Sequence, residues 1–308
     1  MPNTRIIQFG LGTIGSEIAK LILERGMEIT GAVDTDPEKA GKDLGEVLGR
    51  ERLGVRVSHC LDDVLSSDAD IVVNSTISSL EKLEPDIVRV LEAKKNFIST
   101  CEELAYPLVH HPAIANRIDK LAKENGVTVL GTGVNPGFVM DRLVLITAGV
   151  CKNIRKIKAT RIVDTSKRRL PLQKKTGAGM TLDEFNKNLE EKKVRHVGLL
   201  ESLRIVADGL GIELDETKET TEPVIAERNV ESQHMKVEKG MVSGIKQTAL
   251  GIKNGEAVIT LELQMCLGAE AYDSIQIDGA PDINLKIIDG IHGDLATCLL
   301  YTSPSPRD

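Results

Sequence analysis

At 308 residues the chain exceeds what a single hydrophobic core usually serves, so two domains are expected. Its 46 acidic and 39 basic side chains leave a net charge of −7, with Lys and Arg scattered rather than massed, which argues against a nucleic-acid partner. Five cysteines without a C-x-x-C pair offer neither a disulfide framework nor a zinc site, so no metal is expected; with no leader pattern and no apolar run long enough for a bilayer, the expectation is a cytoplasmic protein without a membrane partner.

From the N-terminus, apolar strands alternate with helical patterns: Arg5 to Phe9 strand, Thr13 to Glu24 helix, Glu28 to Val33 strand. The rhythm continues with a strand over Asp70 to Asn74, a helix from about Ser79 to Ala93 and a strand over Asn96 to Ser99. A helix from about Pro112 to Glu124 and a strand over Val127 to Gly131 complete it. Such βαβ repetition specifies an α/β fold, a Rossmann-type doubly wound parallel sheet, assigned to residues 1–135. Beyond Gly133 the pattern changes. A helix through Gly137 to Ala148 leads into a long strand from Ile154 to Asp164, and the polar, basic stretch Thr165 to Met180 reads as a loop without a core of its own. Thr181 and Glu184 make a capping box that opens a charged helix. Strands are expected over Met241 to Ile252, Glu256 to Leu267 and Ser274 to Ile288, with Asn254-Gly255 as a turn. Residues 136–290 are therefore expected to form a second, α+β domain for substrate binding and oligomerisation, a largely antiparallel sheet with helices on one face. Residues 291–308 begin a return helix and end in Tyr301-Thr302-Ser303-Pro304-Ser305-Pro306-Arg307-Asp308, where two prolines stop any helix. That ending reads either as a flexible tail or, the favoured reading, as a truncated or frame-shifted terminus.

The segment Gly10-Leu11-Gly12-Thr13-Ile14-Gly15 follows a strand and opens a helix, the context that gives a G-x-G-x-x-G pattern meaning. Gly10 permits the tight turn, Gly12 lets the backbone approach a diphosphate, and Gly15 allows close packing of helix and strand. The phosphates would rest on amides at the helix N-terminus. Asp34 ends the second strand about 20 residues beyond Gly15, where an acid meets the adenosine ribose. It repels a 2′-phosphate, which favours NAD over NADP, although Lys39 and Lys42 lie near in sequence; Asp34 could instead cap the Asp36-Pro37 turn. Asn74-Ser75-Thr76 ends another strand at the same sheet edge, placing Ser75 and Thr76 beside the cofactor or simply at a strand end.

Ser99-Thr100-Cys101-Glu102-Glu103 lies just past a further strand end, which puts Thr100 and Cys101 beside the nicotinamide and a carboxylate in reach of proton transfer. Burial beside an apolar wall would raise that carboxylate's pKa toward neutrality. Equally, both glutamates suit the first turn of a helix through its dipole. Asn135 sits in the glycine-rich turn Gly131 to Gly137, near the cofactor or only in a turn. Arg168, Arg169, Lys174 and Lys175 precede Gly177-Ala178-Gly179, a combination suited to gripping a carboxylate by charge and backbone amides, or to a solvated loop. His110 and His111 are expected to be exposed, while His196 and His292 are the better candidates for a substrate site or else satisfied structural histidines.

Taken together, GLGTIG, VNST, STCEEL, GTGVNPGF, RRLPLQKKTGAGM, RHVGLLES and GIHGDLAT resemble the 2,4-diaminopentanoate dehydrogenases, within the wider dihydrodipicolinate reductase-like superfamily. The resemblance runs from near residue 4 to about 297. It implies NAD(P)-dependent oxidative deamination of the C4 amine of a 2,4-diamino acid in ornithine breakdown, ammonia release, the reverse reductive amination of ketones, and a homodimer. It also implies that a glutamate beside the nicotinamide is catalytic, a role that falls on Glu102 or Glu103 with Glu102 first. The substrate carboxylate would then meet Arg168, Lys174, Gly177 and Gly179, with His196 and His292 also at the substrate. The paired-histidine and Ser-Gly-Thr features of dihydrodipicolinate reductases do not stand here, which makes that reaction, or another amine or amino-acid dehydrogenase, the alternative. A Rossmann protein that senses NAD(P) without turnover would share every glycine of the first domain.

Overall fold

The structure, a computed structural model, describes residues 4–302, so the predicted tail from Ser303 onward lies outside the described residues. The chain divides into two compact units: one takes in residues up to Val134 and from His292 on, and the other spans Asn135–Ile291.

The first unit contains, in order, β1 (Arg5–Phe9), α1 (Thr13–Glu24), β2 (Glu28–Val33), α2 (Leu44–Leu48), β3 (Val57–Ser58), α3 (Asp62–Leu65), β4 (Ile71–Asn74), α4 (Leu80–Glu92), β5 (Asn96–Ser99), α5 (Pro112–Asn125) and β6 (Val129–Gly131). Its six strands pair in parallel in the order β3-β2-β1-β4-β5-β6. That is the doubly wound Rossmann order, in which the sense of strand addition reverses between β1 and β4. Period-two alternation sends neighbours along each strand into two aliphatic layers. Ile7, Val72 and Phe97 join Leu83, Ile87 and Ile118 on one side, and Ile6, Ile29 and Val73 join Ile18 and Ile22 on the other. With both faces covered, the strands carry near-continuous apolar runs, which is why they are legible in sequence.

The second unit runs through α6 (Arg142–Ala148), β7 (Lys152–Asp164), α7 (Leu170–Lys175), α8 (Leu182–Glu190), α9 (Leu199–Gly209), β8 (Glu216–Ile225), β9 (Val230–Glu231), β10 (Lys236–Val237), β11 (Val242–Lys253), β12 (Glu256–Cys266), β13 (Tyr272–Ala280) and β14 (Ile283–Ile288). Its main sheet has the order β14-β13-β7-β12-β11-β8 and is antiparallel except where β12 runs parallel to β7. One face is buried, with Ile157, Ala159, Ile259, Leu261 and Ala249 pointing into it and α9 packed against β11 and β12. The return helix α10 (Gly293–Thr302) belongs to the first unit, packs on α1 and buries Cys298 in its core, so it runs beyond Thr297.

Three expectations need correction, and one strand went unforeseen. The helix predicted from Gly137 begins only at Arg142, because Asp141 accepts from the Gly137 and Arg142 amides and holds the preceding residues in turns. The stretch Thr165 to Met180 does have an interior: α7 buries Gln173, whose amide donates to the Thr165 and Arg168 carbonyls at 2.9 and 2.7 Å. The strand predicted over Ser274 to Ile288 is two strands, divided at Pro281-Asp282. Edge strand β8 escapes the sequence reading, since Glu216 to Glu222 offers charged and Thr side chains where an apolar alternation would have announced it. The capping box stands as expected: Thr181 Oγ1 accepts from the Glu184 amide, and Glu184 Oε2 accepts from the Thr181 amide at 2.8 Å.

Candidate active site

In a parallel sheet the C-terminal strand ends share one edge, so the segments that follow β1, β2, β4 and β5 meet there. Gly10, Gly12 and Gly15 are required for different reasons. A Cβ on Gly15 would lie 1.9 Å from the Gly10 carbonyl oxygen and 2.4 Å from Ser75 Oγ, and one on Gly10 would lie 2.9 Å from the Ser75 carbonyl oxygen. Both positions are closed by the fold itself. A Cβ on Gly12 would meet nothing within 4 Å. No internal contact demands glycine there, and Gly12 and Thr13 are exposed. Helix α1 starts at this point with no side chain capping its amides and no acid in its first turn. The loop therefore presents bare N–H groups and open space to an anion, which fits a dinucleotide diphosphate over Gly12, Thr13 and Ile14.

Buried Gln8 ties the loop together, its amide donating to the Gly10 carbonyl at 2.9 Å and to Ser75 Oγ at 3.2 Å. Asp34 draws the loop toward β2. Its carboxylate accepts from the Leu11 amide at 2.6 Å and the Asp36 amide at 2.9 Å, with Lys39 Nζ at 3.4 Å. Asp34 thus makes its turn and faces the glycine loop at once. Lys39 also reaches Asp36 at 3.2 Å, so its charge is already engaged, and hydrogen bonding and attraction from these two acids raise its pKa despite partial burial.

Between β4 and β5 a chain of short polar contacts fixes the next segment. Asn74 Nδ2 donates to Thr76 Oγ1 at 3.0 Å, Ser99 Oγ donates to Asn74 Oδ1 at 2.7 Å, and the Cys101 amide donates to Ser99 Oγ at 3.1 Å. Asn74 and Ser99 are fully buried, so the turn carrying Cys101 and the glutamates is anchored from below. The Cys101 thiol donates to the Ser78 carbonyl at 3.2 Å, and burial pushes its pKa up to about 12, leaving it inert.

The 3₁₀ turn Glu102–Ala105 then separates the two glutamates. Glu103 Oε2 accepts from the Leu80 amide, the first of α4, at 2.7 Å and lies 3.1 Å from His111 Nε2. Ser79, at the N-cap of α4, makes no side-chain bond, so Glu103 supplies that cap from a distance. Its carboxylate is thereby occupied. Glu102 is half-buried in the same turn. His111 is half-buried against Glu103 rather than exposed as expected; His110 is exposed.

The remaining predicted residues distribute between the units. His292 immediately precedes α10, where its Nδ1 accepts from the Leu295 amide at 3.4 Å and its carbonyl from the Ala296 amide, so it caps that helix. Asn135, Arg168, Lys174, Gly177, Gly179 and His196 fall in the second unit. Asn135 is buried with Oδ1 3.5 Å from Ser202 Oγ, and its Nδ2 is hidden without a partner. The amides of Gly177, Ala178 and Gly179 all donate to carbonyls, those of Lys174, Gln173 and Val242. The expected grip of a carboxylate by these amides is therefore lost. Gly177 is required by packing, since a Cβ there would meet the Phe185 ring at 2.8 Å, and charge is left to the half-buried Arg168 and the exposed Lys174 and Lys175. Gln8 is a participant that the sequence reading did not mark, and His111 one that it expected only to be exposed; Gln8 sits inside the apolar run of β1, where a buried polar residue is itself the signal.

Residues 4–99 match the N-terminal domain of dihydrodipicolinate reductases, and residues 138–306 match the 2,4-diaminopentanoate dehydrogenase C-terminal domain. A curated 2,4-diaminopentanoate dehydrogenase from Acetoanaerobium sticklandii is 32% identical over an alignment covering all of this chain and 90% of that protein. The chain belongs to the 2,4-diaminopentanoate dehydrogenase family. An amine dehydrogenase from Streptomyces virginiae is 25% identical over 83% of this chain and 73% of its own length. Among solved structures, an amine dehydrogenase from Mycobacterium smegmatis superposes with a TM-score of 0.86 at 23% identity, covering 97% of this chain and 90% of that one, which supports the shared fold. Like the family, this protein is an NAD(P)-linked oxidoreductase.

Gly12 and Gly15 make separable predictions. Gly12→Ala should keep the wild-type melting temperature and weaken NAD(H) binding at least ~10-fold, because the added methyl projects only toward the ligand. Gly15→Ala should lower stability by about 1–3 kcal/mol or more, because its methyl meets backbone. Thermal melting and fluorescence titration with NADH read both effects, and a Gly12→Ala protein that binds NADH normally would contradict the assignment.

Proposed function

We propose that this protein oxidatively deaminates C4 of 2,4-diaminopentanoate to 2-amino-4-oxopentanoate, and in reverse aminates the ketone. The observation that carries the proposal is the half-buried Glu102 on the turn after β5, at the strand-end edge that also holds the open anion site of Gly12. The full-length likeness to a 2,4-diaminopentanoate dehydrogenase supplies the substrate. In balance, the C4 ammonium, the oxidised cofactor and one water give ketone, ammonium ion, reduced cofactor and one proton.

When bound, the nicotinamide supplies the hydride acceptor. Glu102 serves as base, taking a proton from the C4 ammonium, which without a lone pair cannot become an iminium; having released that proton to solvent, the same carboxylate then activates the water that attacks the iminium carbon and returns the water's proton to the departing amine. Glu103 holds the turn through the Leu80 amide and His111 and so positions its neighbour. Asn74, Ser99 and the Cys101 amide fix the turn from the sheet side.

We also propose a preference for NAD, with Asp34 receiving the ribose hydroxyls, and a homodimer acting in the cytoplasm in ornithine breakdown. Five free cysteines suit a reducing compartment. The outward face of the second sheet, with Thr160, Ile162, Thr248 and Leu250 only half-buried, is a candidate dimer surface.

Glu102→Gln should lower kcat by about 10²–10⁴-fold. Glu103→Ala should cost about 0.5–2 kcal/mol of stability through the lost cap and affect kcat less. Initial rates of cofactor reduction with 2,4-diaminopentanoate, paired with melting curves, decide this; tight NAD(H) binding with no wild-type turnover would favour a sensor. Asp34→Ala should weaken NAD more than NADP, because it removes the ribose acceptor and releases Lys39 for a 2′-phosphate, whereas equal losses would contradict the ribose assignment. Sedimentation equilibrium should return twice the 33.4 kDa chain mass, and a monomer at micromolar concentration would refute the dimer.

A further inference from the structure

The register of the second sheet lines up Gln247, Leu263, Arg161 and Asp273 across β11, β12, β7 and β13, all four buried. This row crosses an otherwise aliphatic face, and polar side chains persist in such a place only when each is satisfied or used. Arg161 and Asp273 satisfy each other: Nη1 donates to both carboxylate oxygens, at 2.8 and 2.9 Å, and Nη2 donates to the Ile291 carbonyl at 2.8 Å. Gln247 is used differently. Its Oε1 accepts from the His196 amide at 2.8 Å, and its Nε2 donates to the His196 carbonyl at 3.2 Å and to Glu219 Oε1 at 3.2 Å. One buried amide is thus spent on setting the backbone of a single histidine.

The ring so placed is incomplete. His196 Nδ1 is closed off from solvent and has no hydrogen-bond partner. A neutral imidazole has one N–H and one lone pair to satisfy, so a missing partner at a deliberately held ring points to a ligand. Its surroundings specify the ligand's sign. Lys175 and Arg161 both impose positive charge on the ring and, together with burial as the largest cause, push its pKa down to about 3, so it stays a neutral hydrogen-bonding group. Arg161 is neutralised by Asp273. Glu219, the acid on the same amide, faces the charge of Arg195. Lys175, at the exposed C-terminal end of α7, has no carboxylate partner among the described residues. A positive field beside an unfilled neutral donor suits an anion and disfavours an ammonium group.

We propose that His196 and Lys175 form the subsite for the substrate's C1 carboxylate, the imidazole donating a hydrogen bond to one oxygen and Lys175 supplying the charge. The assignment rests on the reading that the substrate is an amino acid bearing the reacting amine at C4. It moves the carboxylate grip away from the Gly177–Gly179 amides and onto two side chains, and it gives buried Gln247 the task of holding His196 in place. Selectivity for amino acids over simple amines then resides in this pair.

The test compares 4-aminopentanoate with butan-2-amine, the same amine without its carboxylate, by titration calorimetry on the full chain with NADH present to prevent turnover. The wild-type protein should bind 4-aminopentanoate at least tenfold more tightly than butan-2-amine. Lys175→Met and His196→Ala should each cut that ratio at least fivefold, and His196→Asn, which keeps a neutral N–H donor, should retain more of it than His196→Ala. Melting curves identify a variant that fails to fold; Lys175→Met changes only an exposed side chain and decides the matter if His196→Ala does not fold. A wild-type ratio near one, or a ratio within twofold of wild type in a folded Lys175→Met protein, would overturn the proposal. Separately measured cofactor reduction with 2,4-diaminopentanoate tests the underlying function: no turnover alongside an intact, variant-sensitive ratio would sink the deaminase reading and leave the carboxylate subsite standing.

Discussion

The first unit depends on one close contact, the approach of α1 to the end of β1 at Gly15 and Gly10. Any Cβ at Gly15 would sit inside the Gly10 carbonyl, so only this pair lets the helix begin where it does. With the helix start fixed, its bare amides point over the strand ends and Gly12 faces open space. Ser75 and Gln8 lock the same turn to β4, and the Asn74–Ser99–Cys101 contacts carry that rigidity one strand further, to the turn of Glu102. A dinucleotide site and an acidic side chain are thereby held to one sheet edge by backbone packing and by buried and partly buried hydrogen bonds.

The structural role of Glu103 follows from elementary hydrogen-bond accounting. Helix α4 begins without a side-chain cap of its own, and an unpaired first-turn amide is costly when partly buried. Glu103 meets that need and pairs with His111, and under the proposed function proton transfer falls to its neighbour. The second unit applies the same accounting to Gln247, which spends its amide on a histidine backbone.

Much of this was legible in the residues. The aliphatic runs of β1, β2, β4 and β5, covered on both faces, and the G-x-G-x-x-G turn followed by Asp34 announced the parallel sheet and its ligand edge. Elements whose stability comes from elsewhere stayed hidden. Strand β8 is an edge with a charged sequence, and α7 is held by the buried amide of Gln173 rather than by an apolar stripe. For the same reason the Glu102/Glu103 choice was open: the acceptor of the Leu80 amide lies 23 positions along the chain, a pairing that no local pattern encodes. The glycines at 177 and 179 looked like an anion nest in sequence, yet their amides are bonded to carbonyls, and packing against Phe185 explains the first of them.

The central claim is that the strand-end edge of the first unit aligns a nicotinamide dinucleotide with the Glu102 carboxylate. An experimental structure with bound NAD tests it most directly. The account predicts the diphosphate on the Gly12–Ile14 amides, Asp34 at the ribose, and Glu102 turned toward the nicotinamide ring while Glu103 keeps the Leu80 amide. A nicotinamide facing any other side chain, with Glu102 directed into bulk water, would contradict it.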